Sequence, residues 1–324
     1  MAKLFASAGS ATSVSGPPSR ADYLGDGLFR GLAWSSAGLV ILLTAFILWE
    51  ILRQALPAIM DYGLGFVSGS TWNVGKQEFG ILPEIWGTLY SSLLALLIGG
   101  VFGIAIAIFL TQDFIHHRLA TVFRTIIEML AAIPSVVFGL WGIYVLIPLL
   151  KPGAVWLHEQ FGWIPLFGSE LSGPGMAPAA LVLAIMILPT VAAISVDAFR
   201  RIPYTIKEAA YGMGTTRWEA ILEVMLPTAS SGILAALVLG FGRALGETMA
   251  LAMLIGNANQ ISLSLFSPAD TLASLLASNF PEAGQLEVRA LMYAALVLLL
   301  ITFIVNVLGL AVQQYTIRKF EGKK

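Results

Sequence analysis

Long apolar runs separated by shorter polar passages set the pattern of this chain. Six runs stand near residues 32–55, 84–111, 122–149, 177–196, 231–255 and 289–314. Each reaches the ~20 residues that a bilayer-crossing helix needs. The pattern predicts an all-α integral membrane protein with six transmembrane helices, for which lipid rather than a water-excluding core is the solvent. Pro134 and Pro189 fall inside the third and fourth runs and are expected to kink them. Gly-, Pro- and Trp-punctuated loops cover about 56–83, 150–176 and 256–288. Trp72, Trp86, Trp156 and Trp163 in or near them suit the headgroup belt, where an indole buries its ring and keeps its N–H wet. In the last loop, Ser267-Pro268-Ala269-Asp270 is expected to open a short amphipathic helix with Leu272, Leu275 and Leu276 on one side. That helix would either lie on the outer surface or plug the outer mouth.

The polar passages differ in charge. Asp197 to Gly232 holds Arg200, Arg201, Lys207 and Arg217 against Asp197, Glu208, Glu219 and Glu223. Pro203 suits a helix start, Gly212 and Gly214 a break, and Thr215-Thr216 followed by Glu219 a capping box. A helix–turn–helix lying against the membrane follows, offering a polar knob to a soluble partner. With the N-terminus inside, thirteen of the 18 Lys/Arg fall on inner segments and four (Arg53, Lys76, Lys151 and Arg289) on outer ones. Such loops stay cytoplasmic, so both termini and the charged passage are expected there. Residues 1 to 27, rich in Ser, Gly, Ala and Pro, read as a disordered tail with no apolar stretch long enough for a signal peptide.

Composition narrows the chemistry. Hydrophobic residues make up 57% and charged residues 11% of the 324 positions, where soluble proteins carry about 25% charged. The net charge of −1 implies no nucleic-acid field. Without cysteine there is no disulfide, Cys-ligated metal or thiol catalysis. The three histidines have no metal-site spacing, and no Gly-x-x-x-x-Gly-Lys-Ser/Thr run is present to cradle a nucleotide. An intramembrane enzyme would need a nucleophile–base pair in the spans, and none contains His or Cys.

One charge stands out because of its depth. Arg243 is the midpoint of 231–255, where a cation costs about 2.5–3.5 kcal/mol on insertion scales. Glu247 follows one helical turn on and is expected to pair with it along one face. Gly242 and Gly246 form a Gly-x-x-x-Gly stripe that admits a close neighbour. The pair either orients two helices or meets an anion in a pathway, and both roles are compatible. A guanidinium stays charged and can hold an oxyanion with two parallel hydrogen bonds. Glu50 with Arg53, and Glu128 with Arg124, lie near helix ends and read as structural pairs.

Several of these stretches resemble a known family. Glu208-Ala209-Ala210, Gly214 and Val224-Met225-Leu226-Pro227 are similar, with the same spacing, to the EAA loop of bacterial ABC importer permeases. Ala132-Ile133-Pro134-Ser135, Phe79-Gly80-Ile81-Leu82-Pro83 and Gly242-Arg243-Ala244-Leu245-Gly246-Glu247-Thr248-Met249-Ala250 resemble the Pst phosphate-uptake permeases, the last most like their PstC-type branch.

The resemblance implies a type I ABC importer (MetI-like) fold. Its expected divisions are a cytoplasmic tail 1–30, a first helix with its outer loop 31–83, a permease core 84–315 with the coupling loop at 197–230, and a C-terminal tail 316–324. It also implies a bacterial inner-membrane, non-catalytic subunit that couples through Glu208, Ala209, Ala210 and Gly214 and passes phosphate by Arg243 and Glu247. The implied partners are a PstA-type permease, a PstB-type ATPase dimer and a PstS-type periplasmic phosphate-binding protein. No cofactor is expected on this chain, ATP and Mg being used by the ATPase. A permease for molybdate or sulfate, and a passive anion channel, remain the alternatives at this point.

Overall fold

The computed structural model describes residues 20–112 and 114–321. Among the described residues, six helices are long and apolar enough to cross a membrane: Tyr23–Tyr62, Leu82–Thr111, Ser135–Phe161, Met176–Arg200, Arg217–Leu245 and Gln285–Thr316. They are called the first to sixth spans below. The chain falls into two compact units, one ending at Arg53 and one beginning at Gln54. The first unit is the greater part of the helix Arg20–Tyr62. This helix starts ten residues before the expected end of the tail at residue 30, because extending a formed helix needs no new nucleus. Residues 1–19 lie outside the described residues. Glu50 and Arg53 pair in this unit as expected, with Arg53 Nη2 3.0 Å from Glu50 Oε1.

In the second unit the second and fourth spans make the most extensive packing contact. The reason is size. Ser92, Ala95, Gly99, Gly103 and Ala107 recur along one stripe of the second span, and all are buried. A Cβ built on Gly99 would stand 2.7 Å from the Ala184 carbonyl oxygen, and one on Gly103 would stand 2.9 Å from Val191 Cγ1. Missing side chains let the two helices approach nearly to backbone contact, the usual route to helix association in lipid. Leu183, Ile187, Leu251, Leu254 and Ile255 complete the core beside them.

The third apolar run is placed differently from its expected 122–149. His117–Ala132 is a separate helix, and the span itself is Ser135–Phe161. Ile133 and Pro134 are both extended, with ψ of 128° and 140°. The pyrrolidine ring disfavours a helical conformation in the residue before it, so the kink expected at Pro134 is a full break. A π-helical turn, Gly142–Leu146, follows inside the span. At Pro189 the fourth span stays helical from Met176 to Arg200.

The end of the unit remote from the charged passage is closed by aromatic packing. The short antiparallel pair Trp72–Asn73 and Glu78–Phe79 holds Trp72 and Phe79 edge to face, ring centroids 4.8 Å apart, while Phe66 stacks on Tyr293 at 4.4 Å. Trp72 and Trp86 are half-buried, whereas Trp156 and Trp163 are exposed. The Trp86 indole donates to the Ser262 carbonyl at 3.0 Å.

The expected short helix begins two residues after Asp270, at Leu272, and runs to Asn279. Thr271 and Ser274 form its capping box, and Asp270 accepts from the Thr271 amide at 2.7 Å. Leu272 and Leu275 bury themselves against Ile81, Ala290 and Ala294, so this helix is wedged between the second and sixth spans. The Leu272 amide donates to Thr88 Oγ1 at 2.9 Å.

Candidate functional site

The charged passage folds into a tight elbow. After the fourth span ends, Pro203 sets up the helix Tyr204–Gly212. Gly214 adopts φ +86°, in the left-handed region that a side chain would resist. The Gly214 amide donates to the Tyr211 carbonyl at 3.0 Å, and the Thr215 amide to the Ala210 carbonyl at 3.4 Å. This is the hydrogen-bond pattern of a glycine-terminated helix. Thr216 then caps the next helix. Its hydroxyl accepts from the Glu219 amide at 3.3 Å, and the Glu219 carboxylate accepts from the Thr216 amide at 2.7 Å. The expected capping box is present.

The four loop residues singled out from the sequence divide by role. Ala210 is buried against Phe199, Ile202, Ile221 and Met225, anchoring the elbow to the bundle. Glu208 and Ala209 are exposed, and Gly214 makes the turn. Around them Tyr211, Met213 and Trp218 present large apolar surfaces, Met213 being 86% exposed. A rigid, projecting tip of mixed character suits seating in a partner's groove.

The second group lies at the end of the fifth span. The helix Leu226–Leu245 stops at Gly246, and a new helix starts only at Met249. The expected continuous helix over 231–255 is thus broken. The expected ion pair goes with it: among the described residues, Arg243 and Glu247 form none. Pairing at i, i+4 requires an uninterrupted turn, and Gly246 ends that turn. Arg243 instead donates from Nη1 to Thr190 Oγ1 at 3.2 Å. Thr190 is two residues past the midpoint, residue 188, of the fourth span. The guanidinium therefore lies beside the middle of the fourth span.

Arg243 is exposed on the isolated chain, and Glu247 and Thr248 are half-exposed. Unwound backbone between crossing helices is tolerated where protein or a water-lined path covers it. Gly242 stands beside the Asn306 amide, 3.4 Å from its oxygen when a Cβ is built. Thr190 and Asn306 escaped the sequence reading. Their signal is a lone polar residue in an otherwise apolar run, a sign too common on its own to single them out.

The sequence signature described as "Binding-protein-dependent transport system inner membrane component" matches residues 100–322. Phosphate transport system permease proteins PstC are similar over nearly the whole chain. That of Pasteurella multocida is 39% identical over 92% of this chain and 93% of its own, and that of Mesorhizobium japonicum 37% identical over 93% and 92%. Among solved structures, a chain of the inward-facing MetNI methionine ABC transporter aligns over 73% of this chain and 95% of its own, with a TM-score of 0.54 at 17% identity. A bacterial alginate ABC transporter chain aligns over 88% and 94%, with a TM-score of 0.59 at 16% identity. At such identities the likeness is one of fold.

Proposed function

This chain belongs to the inner-membrane components of binding-protein-dependent transport systems, and from that premise we infer that it is the permease subunit of an ATP-driven inorganic phosphate importer. Similarity to phosphate permeases at 39% identity over 92% of the chain supports the cargo. The geometric observation that carries the mechanism is Arg243, held by Thr190 beside the middle of the fourth span and close to where the helix Leu226–Leu245 stops. A guanidinium there meets an oxyanion with parallel hydrogen bonds and keeps its charge at any working pH. Glu247, free of that guanidinium, offsets the local positive potential so that the anion is not held too tightly to leave.

The chain itself performs no catalysis. A PstA-type permease completes the path against the face that exposes Arg243. A PstB-type ATPase dimer receives the elbow and uses ATP with Mg, and a PstS-type protein delivers phosphate on the opposite side. Both termini and the elbow are cytoplasmic in the bacterial inner membrane. Closure of the ATPase dimer moves the elbow, and the bundle alternates between outward and inward openings.

The test is labelled-phosphate uptake in cells producing Glu208→Lys or Gly214→Asp. Uptake is expected to fall to background with normal amounts of protein in the membrane; uptake at the unmodified rate would refute the coupling role. Unlabelled phosphate, and not molybdate or sulfate, is expected to compete. The reverse order would reassign the cargo.

A further inference from the structure

A cavity of about 510 Å³ opens where the second and fourth spans end beside the elbow. Its floor is apolar, with Phe199 fully buried. Its rim carries Arg200, Arg201 and Lys207, together with the hydroxyl-bearing Thr111 and Tyr204. Thr111 closes the second span and Arg200 the fourth, which sets the rim at the level of the lipid headgroups. Among the described residues none of the three cations is in an ion pair. The nearby acid, Asp197, lines a neighbouring cavity of about 500 Å³, which Arg201 also borders. Two guanidinium groups and an ammonium thus converge on a recess with no carboxylate in its lining.

We propose that this recess binds the phosphate of an anionic phospholipid headgroup. A phosphodiester accepts parallel hydrogen bonds from a guanidinium, and Lys207 adds a point charge. The apolar floor suits the glycerol and upper acyl carbons that follow the phosphate. Basic pockets between the ends of crossing helices are places where such headgroups are retained. The bound lipid would touch both the fixed end of the fourth span and, through Tyr204 and Lys207, the elbow helix Tyr204–Gly212. It would therefore brace the elbow against the bundle. This requires only that the spans cross a bilayer, so it stands apart from the transported cargo and from the direction of transport.

The experiment is native mass spectrometry of the transporter complex, titrated in detergent with phosphatidylglycerol or phosphatidylcholine. The unmodified protein is expected to retain phosphatidylglycerol preferentially. Removing one charge should weaken it about fivefold, and Arg200→Gln/Arg201→Gln/Lys207→Gln on the order of a hundredfold. Arg200→Lys/Arg201→Lys keeps the charges and should recover most of the binding, which separates charge loss from misfolding. Lys76→Gln, an exposed cation at the other end of the unit, should change nothing. Equal retention of both lipids by the unmodified protein, or unchanged preference in the triple variant, overturns the proposal. Displacement of the lipid by millimolar inorganic phosphate would also overturn it, assigning the recess to a free anion instead.

Discussion

At the scale of single residues, one exposed and one buried charged group have measurable consequences. Arg243→Gln retains hydrogen bonding and loses charge, so initial phosphate uptake should fall about ten- to hundredfold, the range of a lost charge-assisted bond. Arg243→Lys should retain part of the rate, and Thr190→Val should lower it less than Arg243→Gln does. Uptake by the Gln variant equal to that of the unmodified protein would remove Arg243 from the path. Asp270 concerns stability. Burial raises its carboxyl from 3.8 to about 6, against the lowering effect of hydrogen bonds from Ser274 and Thr271. The folded state then binds this proton more tightly than the unfolded chain. Its contribution is fully present below about pH 4, is lost as pH rises towards about 6, and is flat above. The difference is on the order of 3 kcal/mol. Asp270→Asn should lessen the pH slope of the thermal-unfolding midpoint between pH 4 and 6.5, the neighbouring buried Glu84 being left in place. An unchanged slope would show that another group governs it.

Helices and loops show which parts of the architecture the residues announced and which they did not. Apolar length marked all six spans, because crossing lipid demands it. The elbow was readable from Gly214, Thr216 and Glu219, since turn and cap chemistry is local. The third span was misplaced because apolarity alone does not separate a helix lying beside the bundle from one crossing it. Ile133-Pro134 was the local sign that a helix ended there. The interruption at Gly246 was hidden for a similar reason: Arg243 and Glu247 have the spacing of a helical pair, and only the packing of the fifth span shows that the helix has already stopped. The tight seam between the second and fourth spans was written as Ala95, Gly99, Gly103 and Ala107, small residues whose partner sequence spacing cannot name. That seam predicts its own weakness. Gly99→Val would push a side chain into the Ala184 carbonyl, where backbone cannot yield. A loss of about 1–3 kcal/mol is expected, seen as a lower unfolding temperature in detergent. A stable Gly99→Val protein would mean the seam can open.

For the whole molecule, orientation is the quantity most easily checked, since the chain has no cysteine of its own. A single Ala209→Cys, on the exposed side of the elbow, should resist a membrane-impermeant maleimide in intact cells and react once the membrane is opened. Labelling of intact cells would place the elbow outside and undo the coupling scheme. The stoppage between Leu245 and Met249 has a consequence for how such a machine could keep its two doors apart. A continuous rod would carry any turn of the motor side straight to the far side, and both doors would swing together. The three residues that lie between the two helices would act as a slip joint, letting one half shift while the other stays shut and leaving ions no moment at which to leak through.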